Sequence, residues 1–112
     1  MNRLIIILIF VLGISLAFAH PAGDVTGKYD AKTQLLEVSY AHQVKDATDH
    51  YISSVTVLVN GKNVITHNLS LQESAEGGTL IYKLPALKVG DKISVNTECS
   101  KGGKKSTNLS IK

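Results

Sequence analysis

Four histidines, at positions 20, 42, 50 and 67, and a single cysteine at 99 are the side chains of this 112-residue sequence best suited to coordination chemistry. Imidazole nitrogen and thiolate sulfur hold iron, copper and zinc, so a metal site is the first chemistry to consider. His42 and His50 bracket a polar loop, Gln43-Val44-Lys45-Asp46-Ala47-Thr48-Asp49, between two apolar alternating runs. A loop fixed at both ends by strands can aim both rings at one point. Cys99 is in phase with Ile93 and Val95, which also suits a small buried hydrophobe. His67 is in phase with Ile65 and Leu69 and reads as an imidazole at the core edge. Other chemistries lack their residues: the sequence has no Gly-x-Ser-x-Gly elbow, no phosphate-cradling glycine loop, no Cys-x-x-Cys and no carboxylate pair with an obvious role.

Beyond residue 19 no segment keeps a 3.6-residue apolar period for three turns, whereas short alternating runs recur with turn residues between them. That pattern is all-β. Leu36, Val38 and Tyr40 alternate with polar residues, as do Val55, Val57 and Val59, and Ile93, Val95, Thr97 and Cys99. Asn60-Gly61 is a hairpin signal, because a type I′ turn needs positive φ at both central residues. It predicts strands over about 52 to 59 and 62 to 71. Glu76-Gly77-Gly78 opens a strand near 79 to 84 that Pro85 ends, Val89-Gly90-Asp91 turns into the strand carrying Cys99, and Gly102-Gly103 turns out of it toward Ile111. With strands over 25 to 29 and 35 to 40, the count is about seven, which suits an immunoglobulin-like β-sandwich. The four tyrosines read as core and rim of a sandwich without tryptophan.

The first nineteen residues are of another kind. Met1-Asn2-Arg3 is a short positive start, Leu4 to Leu16 is apolar but for Gly13 and Ser15, and Ala17-Phe18-Ala19 is a small-x-small cleavage site. This reads as a signal peptide over 1–19, followed by one domain over 20–112. The expected location is secreted or periplasmic, with no membrane attachment once the signal is removed. The domain carries 11 basic and 9 acidic groups, and its longest basic block is Lys104-Lys105. Nucleic acid is not an expected partner, because phosphate binding wants a basic stripe with interleaved aromatics. One cysteine also excludes an internal disulfide.

His42, a polar loop, Asp49-His50-Tyr51-Ile52, an alternating strand and then Asn60-Gly61-Lys62 resembles the iron domain of the superoxide reductase and desulfoferrodoxin family. That family also has an apolar strand running into Cys-x-x-His-Gly, similar to the segment from Ile93 to Cys99-Ser100-Lys101-Gly102-Gly103. His20-Pro21 resembles, more loosely, a His-x-Pro segment before the family's first strand. The resemblance implies an immunoglobulin-like sandwich holding ferrous iron through four His and an axial Cys, with a sixth position open to superoxide. Carried over by position, His20, His42, His50 and Cys99 are the implied metal ligands. Three departures stand beside the likeness. Gly102 occupies the place of the family's last His, the loop from His42 to His50 is longer, and Ala19 stands where the family has a Lys that draws in the anion.

Two functions follow as expectations. One is a secreted iron-binding domain of the superoxide reductase kind, reducing superoxide or another small oxygen species with electrons from an unidentified donor; thiolate opposite an open site pushes electron density onto the metal. The other is a non-catalytic secreted binding module or copper carrier, since an N-terminal His offers amine and imidazole to Cu(II). Zinc also suits three His and one Cys in a closed tetrahedron. Cleavage after Ala19 predicts that N-terminal sequencing of the exported protein reads His-Pro-Ala. A product retaining residues before His20 would contradict that cleavage.

Overall fold

The computed structural model describes residues 20–112, and the signal peptide expected over 1–19 lies outside the described residues. Seven strands follow one another: β1 (Val25–Asp30), β2 (Leu35–Ala41), β3 (Ile52–Val59), β4 (Lys62–Asn68), β5 (Gly77–Lys83), β6 (Lys92–Cys99) and β7 (Lys104–Ser110). No helix occurs among the described residues. The strands form two antiparallel sheets, β1-β2-β5 and β4-β3-β6-β7, which pack as the expected sandwich. β4 ends three residues earlier than the alternation suggests and β5 begins two earlier, because Gly77 and Gly78 already pair with Ala41 and Tyr40.

Alternation decides which side chains meet between the sheets. Leu36, Val38, Val55, Val57, Ile93 and Val95 are fully buried, each worth about 1.5 to 3 kcal/mol relative to exposure. Ile52 is also fully buried, although it is three residues from Val55 and so out of phase with it. A register shift against β6 between Ile52 and Ser54 reconciles the two. The extra residue, Ser53, donates its hydroxyl to the carbonyl of Glu98 at 3.2 Å. A bulge of this kind re-aims the strand beside it, here the end that leads back to His50.

The hairpin lies at the other end. Asn60 and Gly61 have φ of 51° and 84°, the positive pair that a type I′ turn requires. Asn60 also accepts from the Lys92 amide and donates to the Asp91 carboxylate, both at 3.0 Å, tying the hairpin to the start of β6. Val59 pairs with Ile93 at this end, and Ile52 pairs with Cys99 at the opposite one.

Across the open edge between β4 and β5, His67 Nδ1 and the Tyr82 hydroxyl share a hydrogen bond of 2.9 Å. Burial, with Tyr40 nearby, pushes the Tyr82 phenol up to about 12. A folded-state value above the unfolded one, about 10, contributes stability that is complete below pH 10 and is lost as pH rises toward 12. Alkaline titration should therefore show tyrosinate absorbance with a late component near pH 12 that Tyr82→Phe removes. A Tyr82→Phe protein with an unchanged titration curve would contradict the assignment.

Candidate metal centre

The site is built where three segments converge at one end of the sandwich. His42 follows the last residue of β2, and its amide donates to the Glu76 carbonyl at 2.9 Å. The loop beyond it is longer than the family likeness implies, yet Asp46 keeps it tight. The Asp46 carboxylate accepts from the Thr48 amide at 2.9 Å and the Thr48 hydroxyl at 2.6 Å, bonds that hold its pKa below the ordinary value. The Asp46 carbonyl accepts from the amides of Asp49 and His50, so the chain makes a full turn before entering β3. Cys99 ends β6, and the Ser100 amide donates to the Tyr51 carbonyl at 2.8 Å, which fastens the turn after Cys99 to the residue after His50.

The rings of His20, His42 and His50 form a nearly equilateral triangle, with centroids 4.7, 4.8 and 4.8 Å apart. One nitrogen from each lies within 4.8 Å of the others. Three donors on a single ion with bonds near 2.1 Å are at most about 3.6 Å from one another, so an inward movement of each nitrogen by up to about 0.7 Å brings the three onto one metal. Cys99 Sγ lies 3.1 Å from His50 Nε2, and the Lys101 amide points at the sulfur from 3.4 Å. With bonds of about 2.0 Å to nitrogen and 2.3 Å to sulfur, two donors on one ion are about 3.0 Å apart at a right angle and about 3.5 Å at the tetrahedral angle. The three imidazoles could hold a metal ion, and Cys99 stands beside one of them.

The partners of each ring indicate which nitrogen is free. His42 is almost completely buried, at 1% exposure, and its Nδ1 is 2.8 Å from Gln72 Oε1. The amide of Gln72 is oriented by its own bonds: Nε2 donates to the carbonyls of His42 and Ser74 at 2.8 and 2.9 Å, and Oε1 accepts from the Ile52 amide at 3.2 Å. Oε1 is thus the acceptor and His42 Nδ1 the donor, which leaves Nε2 with the lone pair. That lone pair faces another acceptor, the His20 carbonyl, at 3.3 Å. A cation resolves this contact, either as a proton on Nε2 or as a bound metal. His20 Nδ1 donates to the Pro21 carbonyl at 3.1 Å, so His20 also presents Nε2. Metal-binding imidazoles commonly donate their second N–H to a carbonyl or amide oxygen in this manner.

Partial burial, then the neighbouring His42, His20 and Lys101, lower the His50 pKa against the opposing pull of Asp49. The shift favours the neutral imidazole, which is the form a metal needs. Outside the triangle a cleft of about 770 Å³ opens to solvent, lined by His20, Val44, Lys45, Asp49, His50 and Lys101 among others. Lys101 pairs with Asp49 at 3.4 Å, and both side chains are largely exposed, so the pair contributes little to stability. The mouth carries charges of both signs.

All four implied ligands, His20, His42, His50 and Cys99, therefore lie at one end of the sandwich, while His67 stays with Tyr82 on the open edge. Gly102, where the resemblance would imply a further His, has no side chain to offer. Gln72 is the site residue that sequence reasoning missed. It sits between Leu71 and Glu73 in the β4–β5 crossover, where no periodicity marks it, and only its 3% exposure reveals its role. Neither the protein-family models nor the curated proteins compared with this chain give a match.

Gln72→Leu should weaken zinc binding by about 10- to 100-fold, the usual cost of losing a group that orients a ligand. Gln72→Glu, which keeps an acceptor for His42 Nδ1, should lose less. Competition against a chromophoric chelator measures both; equal affinity of Gln72→Leu and the parent would remove Gln72 from the account.

Proposed function

We propose that this protein is an exported domain that binds one metal ion through His20, His42, His50 and Cys99, with iron as the metal. The carrying observation is the approach of Cys99 Sγ to His50 Nε2 beside the three-imidazole triangle. At 3.1 Å the thiol and the imidazole are close enough that both would hold the same ion. The resemblance to superoxide reductase and desulfoferrodoxin supplies the activity: reduction of superoxide or another small oxygen species, with electrons from an unidentified donor. Ferrous iron, when bound, would supply the single electron that, with two protons, converts superoxide to hydrogen peroxide. The protein orients the imidazoles through Gln72 and the Pro21 carbonyl, favours the neutral form of His50 and leaves one side open to a cleft.

Gly102 favours a second reading, a non-catalytic zinc- or copper-binding module. Three imidazoles and one thiolate complete a tetrahedron, which zinc prefers and which has no redox chemistry. A copper chelate through the mature amine and the His20 ring receives less support. Such a chelate uses Nδ1, and His20 Nδ1 is engaged by the Pro21 carbonyl.

Metal analysis of the exported protein should find about one ion per chain, lost on His42→Ala or Cys99→Ser. Loaded with ferrous iron and oxidised, it should show a thiolate-to-ferric band, and pulse radiolysis should show slow superoxide loss. The absent Lys and the mixed charges at the mouth remove a steering field worth about 10- to 10³-fold in encounter rate. Rapid, Cys99-dependent loss would refute the expected slowness and establish an efficient enzyme. Absence of both band and superoxide loss would establish the binding module.

A further inference from the structure

The turn after Cys99 touches the ligand that comes from the other end of the chain. Gly103 has φ +100°, and a Cβ placed on it would lie 2.7 Å from Pro21 N, 2.9 Å from Pro21 Cδ and 3.0 Å from the His20 carbonyl carbon. These are backbone and ring atoms, so they cannot yield as the tip of a long side chain would. A positive φ alone does not account for this contact. Gly61 and Gly90 share the conformation, with φ of +84° and +95°, yet nothing lies within 4 Å of a Cβ built on either. The Gly103 carbonyl also accepts the Cys99 amide at 3.0 Å, so one residue braces the thiol-bearing strand end and the His20-Pro21 peptide together. On the opposite side, the His20 carbonyl faces His42 Nε2 at 3.3 Å, and the Gly23 amide donates to the Ala41 carbonyl at 2.6 Å. Ala22 between them is buried in the core.

We propose that Gly103 is a positioning residue: its bare backbone is the seat on which the His20-Pro21 segment docks, and that docking delivers the third imidazole to the metal. The inference rests on the metal-binding reading above. In the family's pattern this turn contributes a ligand of its own, whereas here it gives room to an arm that carries one. Docking and metal binding then favour each other by the same factor, as linkage requires. A lifted arm leaves His42, His50 and Cys99 as a three-donor site.

Cobalt(II) titration of the exported protein, read by its ligand-field and thiolate-to-cobalt absorption, tests this. His20→Ala should weaken cobalt binding by about 10- to 100-fold, and Gly103→Ala should match it while retaining the Cys99-dependent band. Because both act through one ligand, the double variant should be no weaker than either single one. Gly90→Ala, which strains the same backbone conformation without a contact, should leave affinity unchanged. Circular dichroism of the metal-free variants checks folding, and Pro21→Gly, which loosens the arm without touching a strand, serves if Gly103→Ala does not fold; it should also weaken binding several-fold. Failure of the parent to bind cobalt overturns the metal reading and this inference with it. A parent that binds, with Pro21→Gly and any folded Gly103→Ala protein binding as tightly, overturns this inference alone. Losses from Gly103→Ala and His20→Ala that add fully in the double variant also overturn it, since Gly103 would then act on some other ligand.

Discussion

The antiparallel ladder between β3 and β6 is the constraint on which the site depends. It runs from Val59 opposite Ile93 to Ile52 opposite Cys99, so the hairpin closes one end and the ladder delivers His50 and Cys99 to the other. The bulge at Ser53 is part of that delivery. Were the strand regular through Ser53, Ile52, three residues from Val55, would point away from the core and the preceding segment would leave the sheet on the wrong face, since a one-residue slip reverses every side chain. The core and the candidate metal site therefore share one register.

A second constraint is the buried polar group in the middle of this arrangement. An imidazole almost wholly removed from water costs several kcal/mol unless its nitrogens find partners. His42 meets that demand at Nδ1 through Gln72, whose other bonds reach the His42 and Ser74 carbonyls and the Ile52 amide. The Gln72 backbone N–H in turn donates to the Ala47 carbonyl of the His42–His50 loop, at 3.0 Å. One glutamine from the β4–β5 crossover thus ties the end of β2, the loop and the start of β3. At Nε2 the nearest partner is another acceptor, the His20 carbonyl.

The arrangement of donors also links the ligand set to the shape of the opening. Cys99 ends β6, His42 directly follows β2 and His50 lies two residues before β3, whereas His20 arrives on an arm that packs against the Cys99–Gly103 turn. In the proposed site, then, the His20 donor depends on a backbone contact. His20 lines the cleft together with His50, so the position of the arm also shapes the approach from solvent.

Much of this was legible in residue order. Alternation in β2, β3 and β6, the Asn60-Gly61 turn and the absence of helical periodicity determine seven strands in two layers, because a side-chain period of two is a local property. The bracketing of a loop by His42 and His50, and the placement of Cys99 at a strand end, were likewise local. The tertiary structure decided what depends on contacts between distant segments. The Ser53 bulge reconciles two phases that conflict within one strand; Gln72 meets His42 across 30 residues, and His20 comes to rest against a glycine near the far end of the chain. Which imidazole nitrogen is free belongs to the same class, since a tautomer is set by the partner at the other nitrogen and not by the histidine itself.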